Sequence, residues 1–115
     1  MKIRTVLQEL FGSRTSEGVL LYLYHYGEGY GRGIAADMEL SLESVQRQLD
    51  KFEGVRVLVT RRLGRTLVFS WNEKSKTARK VKELVATVYD GIPLEKRAEI
   101  FSARMRPRSK DKPVL

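Results

Sequence analysis

The sequence predicts a mainly α-helical domain that carries a single β-hairpin. Apolar residues recur at helical spacing in several separate stretches, and two adjacent runs rich in β-branched and aromatic residues flank a glycine. At 115 residues, with 42% hydrophobic and 31% charged side chains, the chain has the size and composition of one soluble domain. A chain of this length buries roughly two-thirds of its unfolded surface, so a core forms without covalent staples. Cysteine is absent, so no disulfide is available in any case.

Residues 3–11 place Ile3, Val6, Leu7, Leu10 and Phe11 on one helical stripe, ended by Gly12 and Ser13. A second helix is expected to start with Thr15 or Ser16 as its cap and Glu17 in its first turn. It runs through residues 19–26, which are apolar on nearly every side. Such a helix is either central to the fold or shared with a second subunit. Gly27 stops it, and residues 27–33, with glycine at every second position, read as a loop. The loop feeds a short helix built on Ile34, Ala35 and Met38. Ser41 then caps a helix with Leu42, Val45, Leu49 and Phe52 on its buried stripe and Gly54 as its stop.

Residues 56–62 and 66–71 read as strands, and Gly64 between them supplies the positive φ of a tight hairpin. A long helix from Ser75 carries Val81, Leu84, Val85, Val88 and Tyr89 on its apolar face, and residues 91–93 break it. The expected organisation is a domain over 1–92 whose last long helix is of the dimerising kind, a short C-terminal helix over 93–105, and a basic flexible tail over 106–115. Around that tail, Arg104, Arg106, Arg108, Lys110 and Lys112 against Asp111 hold half of the net charge. They suit a nucleic-acid backbone or simply a solubilising end.

The net charge of +8, from 22 basic against 14 acidic residues, attracts polyanions before any specific contact forms. Nucleic acid is the commonest such partner and an anionic membrane surface the main rival. No stretch approaches the roughly 20 apolar residues of a membrane span. Residues 1–5 lead into no signal-type apolar core, so the expected location is the cytoplasm, without a membrane partner. Without cysteine, thiolate zinc sites and thiol nucleophiles are excluded, and His25 is the one histidine. No nucleophile, base and oxyanion donors fall together, so neither enzymatic activity nor a cofactor or metal is expected. Residues 31–36 fit the spacing GxGxxA, yet the preceding buried strand and parallel sheet of a dinucleotide site are missing. Tyr22, Tyr24, Tyr26 and Tyr30, with His25 among them, are expected to pack against the last long helix or a second subunit.

The order of elements carries more meaning than any single motif. Two short helices joined by a brief turn are followed at once by a hairpin with a basic tip, which is a helix-turn-helix plus a wing. Residues 34–49, IAADMELSLESVQRQL, resemble the winged helix-turn-helix regulators of bacteria and archaea. With the hairpin and flanking helices the resemblance covers about residues 3–90. It is strongest to the small ArsR- and MarR-type members and to winged modules encoded beside minimal nucleotidyltransferases. Two features depart from the pattern. Glu39 stands where the family usually has glycine in the inter-helix turn, and a left-handed backbone strains Glu, so an altered turn is expected. Gly33 early in the first helix costs about 1 kcal/mol against Ala.

The resemblance implies a double-stranded-DNA-binding transcriptional regulator that acts as a homodimer. The face opposite the stripe of the Ser41-capped helix centres on Arg47, flanked by Glu43, Ser44, Asp50 and Lys51, with Gln46 and Gln48 at its edges. Arg grips guanine and Gln grips adenine with paired hydrogen bonds, while Ser41 and the helix N-terminus donate to phosphate. The resemblance puts Ser41, Glu43, Ser44, Gln46, Arg47, Gln48 and Lys51 in the major groove. Any solvated helix face also carries such residues, and Glu43 and Asp50 repel phosphate. Arg61, Arg62 and Arg65, with Thr66, surround the hairpin tip and suit a phosphate backbone or a minor groove. Cations on edge strands also serve simply to prevent aggregation. Arg32 is a further candidate for a phosphate contact. The alternative is a winged-helix protein–protein adaptor without DNA binding, for example the companion of a nucleotidyltransferase-like protein. Glu39, Glu43 and Asp50 favour it.

Overall fold

The computed structural model describes residues 3–101, and the expected tail over 106–115 lies outside them. In chain order the elements are α1 (Val6–Phe11), α2 (Arg14–Tyr26), β1 (Glu28–Gly29), α3 (Gly31–Met38), α4 (Leu42–Gly54), β2 (Leu58–Leu63), β3 (Thr66–Trp71), α5 (Lys76–Asp90) and α6 (Leu94–Ile100). The mainly α architecture with a hairpin is therefore as expected.

α2 is the axis of the molecule. Val19, Leu20, Leu21, Tyr22 and Leu23 have no solvent exposure, and their cluster extends through Ile34, Met38, Val45, Leu49, Leu58, Phe69, Trp71 and Val85. This apolar helix is thus consumed by its own chain, which answers the choice between a central and a shared helix. Its N-cap is Ser13 rather than Thr15 or Ser16. The Ser16 amide donates to Ser13 Oγ at 3.0 Å and the Ser13 amide to Ser16 Oγ at 3.2 Å, a reciprocal capping box. At its far end, His25 stacks on Phe101 with ring centroids 4.1 Å apart and bonds through Nδ1 to Tyr89 Oη at 2.6 Å. Tyr24 packs on Tyr89 and the Tyr26 hydroxyl donates to the Phe101 carbonyl at 3.0 Å. Tyr24, His25 and Tyr26 thus face α5 and the end of α6 within one chain, whereas the Tyr22 hydroxyl donates to Asp37 of α3 at 3.0 Å and Tyr30 packs over Gly33. Only Leu94–Ile100 of the expected C-terminal helix is seen as helix, and residues 102–105 lie outside the described residues.

The segment expected as a loop over 27–33 is mostly ordered structure. Glu28 and Gly29 form β1, which pairs antiparallel with β3 (Glu28 opposite Ser70, Gly29 opposite Phe69), so the sheet has three strands in the order β1-β3-β2. α3 begins at Gly31, three residues before Ile34, where the loop was expected to end. Gly33 has a packing reason: a Cβ there would stand 2.7 Å from the ring of Tyr30, which lies over it. In the hairpin, Leu63 opposes Thr66 across the two-residue turn Gly64-Arg65, with positive φ at Gly64 alone of the two. That is the pattern of a type II′ turn.

Both helices of the central pair end the same way. At α3 the Leu40 amide bonds to the Ala35 carbonyl and the Glu39 amide to Ala36; at α4 the Val57 amide bonds to Phe52 and the Arg56 amide to Glu53. Each is a Schellman closure, and each places a non-glycine residue in the left-handed region, Glu39 at φ 57° and Arg56 at φ 66°. The inter-helix turn is therefore kept despite Glu39, and α4 stops at Arg56 rather than at Gly54, its last helical residue. β2 starts at Leu58 for the same reason, since residue 56 is occupied in the turn. Left-handed backbone costs a side-chain-bearing residue roughly 1–2 kcal/mol, partly offset by the greater freedom of glycine in the unfolded chain. Glu39→Gly is expected to stabilise the fold by about 0.5–1 kcal/mol, read as a higher urea midpoint with unchanged slope. Destabilisation by Glu39→Gly would contradict strain at this turn. Further expectations fail on the apolar faces: Leu42, assigned to the buried stripe of α4, is 38% exposed, and Val6 and Leu10 of α1 and Leu84 of α5 are exposed as well.

Candidate nucleic-acid interface

The amphipathic period of α4 fixes which residues look outward. Val45, Leu49 and Phe52 are buried, and the opposite side presents Glu43, Gln46, Arg47 and Asp50 at spacings of three and four. These four, with Leu42, form one wall of an open groove of about 810 Å³. Arg65, Thr66, Leu67 and Phe69 of the hairpin form the facing wall, and Tyr30, Gly31 and Arg32 at the start of α3 close one side. Arg47 and Arg65 thus look into the same groove from two different elements.

The other predicted site residues lie elsewhere. Ser41 Oγ accepts from the Ser44 amide at 3.0 Å, so its hydroxyl serves the helix start, and neither residue lines the groove. Gln48 is half-buried, with Oε1 enclosed and without a hydrogen-bond partner among the described residues. Lys51 turns toward α1, its Nζ donating to the Phe11 carbonyl at 3.2 Å and lying 5.0 Å from the Phe52 ring centroid. Successive strand residues point to opposite faces, which separates Arg61 from Arg62. Arg61 opposes Val68 on the face shared with Glu28 and Ser70, where its guanidinium makes paired bonds to the Glu28 carboxylate at 2.8 and 3.3 Å. The hydrogen bond that Arg61 donates to Glu28, reinforced by the carboxylate's charge, raises the Arg61 pKa above its ordinary value. Arg62 opposes Leu67 on the groove-side face without lining the groove itself.

No protein-family model and no curated protein sequence matches the chain. Among solved structures it is similar to the antimony-specific transcriptional repressor AntR, with a TM-score of 0.54 at 21% identity, over 82% of this chain and 78% of that one. It is also similar to a double mutant of ZitR from Lactococcus lactis in its apo form, with a TM-score of 0.57 at 20% identity, over 85% and 74%. A third is reduced AbfR bound to DNA, with a TM-score of 0.54 at 16% identity, over 86% and 72%. The chain has the winged helix-turn-helix fold.

In winged helix-turn-helix terms, α3 and α4 are the helix pair, β2 and β3 the wing, and Arg65 the wing tip. The groove lies between the second helix of the pair and the wing. Three arginines (Arg32, Arg47 and Arg65) and two carboxylates (Glu43 and Asp50) line it. Arg47 is 3.6 Å from Glu43 in an ion pair whose side chains are 67% and 86% exposed, so the pair is readily exchanged for another anion. Arg32 and Arg65 are in no ion pair among the described residues. The N-terminus of α3 adds the partial positive charge of its helix dipole to the same side.

Tyr30, Gly31, Leu42, Leu67 and Phe69 were missed by sequence reasoning. The glycine alternation over 27–33 concealed the start of α3. Extending the helical period back from Ile34 would have put Gly31 one turn before it, on the side that meets α4.

Proposed function

We propose that this chain is a double-stranded-DNA-binding transcriptional regulator, with α4 entering the major groove and the wing tip held against the phosphate backbone. The observation that carries the reading is the sharing of one groove by Arg47 of α4 and Arg65 of the wing, with Arg32 at its side. The major groove of DNA is about 12 Å wide and admits a helix. In this arrangement Arg32 and Arg65 hold phosphates, the N-terminus of α3 supports them, and Arg47 exchanges Glu43 for a base edge or a phosphate. The role is one of binding, without catalysis or cofactor, in the cytoplasm. A homodimer would set two α4 helices about 34 Å apart on successive major grooves. With α2 committed to its own core, α5, where Leu84 stays exposed, is the surface of the expected pair left to serve as that interface.

An electrophoretic shift with random-sequence duplex tests the role. Retardation at low salt that vanishes steeply as salt rises is the expected result, since each neutralised phosphate lowers log K by about 0.9 per decade of salt. Duplex left unshifted at low salt would contradict the proposal and favour the adaptor role, in which the same fold binds a protein.

A further inference from the structure

The side chain of Gln46 is bonded on one side and given room on the other. Its Nε2 donates to Asp50 Oδ1 at 3.1 Å, one helical turn further along α4. Its Oε1 lies over Gly31 at the start of α3, where an added Cβ would stand 2.8 Å from that oxygen. Glutamine on an unconstrained helix face loses rotamer freedom when it binds, whereas one already held loses less. Gln46 lines the groove, and one N–H of its amide remains beyond the bond to Asp50. A glutamine amide offers a donor and an acceptor side by side, the complement of adenine N7 and N6 in the major groove. Asp50 is otherwise hard to explain, because a carboxylate facing a polyanion lowers affinity.

We infer that Gly31 and Asp50 are positioning residues that fix the Gln46 amide as the adenine-reading group of this groove. The inference rests on the DNA-binding reading above. It gives the missing side chain of Gly31 and the carboxylate of Asp50 a role in reading sequence, separate from the attraction of phosphate by the arginines and by the backbone at the start of α3. Gly31 acts by lacking a Cβ, and Asp50 by accepting one amide proton so that the plane of the amide is set.

The test begins by selecting bound duplexes from a random pool with the wild-type chain. Anisotropy titrations at one salt concentration then compare the selected duplex with versions in which each A·T pair is replaced by G·C. Wild type is expected to prefer adenine by about 5- to 150-fold at one position, the discrimination typical of one paired amide contact. Asp50→Ala and Gly31→Ala are expected to reduce that ratio to within about twofold, and Asp50→Ala also to strengthen binding to random duplex, because a negative charge leaves the groove. Asp50→Asn, whose oxygen still accepts the Nε2 proton, is expected to keep the ratio. Gly31 has no positive φ, so Ala is compatible with its helical backbone, and an unchanged melting temperature of Gly31→Ala separates loss of reading from loss of fold. Variants that change affinity for every duplex by one common factor, or a wild type without an adenine preference, would overturn the inference and leave DNA binding standing. A wild type that binds no duplex at low salt would overturn both.

Discussion

Replacing Arg32, Arg47 and Arg65 together by Ala is expected to flatten the salt dependence of duplex binding by up to about 2.7 log units of affinity per decade of salt. That figure is the loss of three phosphate contacts at about 0.9 each. These are the three cations that line the groove, and they come from three different elements, so a duplex seated there meets all of them at once. Titrations at several salt concentrations with wild type and the triple variant give the two slopes directly. Arg61→Ala is the control. Its guanidinium is already paired with Glu28 on the other face of the sheet, so the slope with Arg61→Ala should stay close to wild type. If Arg61→Ala flattens the slope and the triple variant does not, the bound duplex lies on the wrong side of the wing for this account.

The largest effect on stability is expected at Trp71. Its ring is 5% exposed, it opposes Leu58 in the hairpin, and its indole N–H donates to the Leu23 carbonyl at 3.2 Å in the middle of the core. Trp71 thereby fastens the base of the wing to the central helix. Trp71→Ala is expected to cost about 3–5 kcal/mol through lost burial and the cavity left behind, a large part of the 5–15 kcal/mol that typically stabilises a domain. Trp71→Phe should cost clearly less, because the Leu23 carbonyl keeps the Gly27 amide as a donor at 2.9 Å and no buried acceptor is orphaned. Urea unfolding measures both. Equal losses for the two variants would mean that the indole hydrogen bond, rather than packing, fastens the wing.

Most of the fold was legible because local chemistry and tertiary packing agree. The stripe of Val45, Leu49 and Phe52, the Ser41 cap and the glycine-bearing hairpin are local features, and each appears where its chemistry requires. What was not legible depended on partners distant in sequence. β1 exists because residues 28 and 29 meet the open edge of β3 some forty residues later, a pairing no local pattern announces. Glu39 and Arg56 adopt left-handed backbone because the helix ends close on their own carbonyls and leave no other path, which overrides the preference for glycine. The candidate site divides in the same way. The outward face of α4 was readable from its period, which named Arg47, Gln46 and Glu43, all of which line the groove. The wing was read as a cluster of three arginines, whereas the strand pleat and the position of Glu28 put Arg61 on one face and Arg65 at the tip.

Bound as proposed, a DNA duplex lies in the groove between α4 and the wing. Backbone amide shifts of the full chain, followed by NMR as random duplex is added at low salt, locate it residue by residue. The largest changes are expected at Arg32, Gln46, Arg47, Arg65 and Thr66, with Leu84 of α5 and Arg97 of α6 nearly unmoved. Changes concentrated on α5 and α6, with those five amides unperturbed, would contradict that placement.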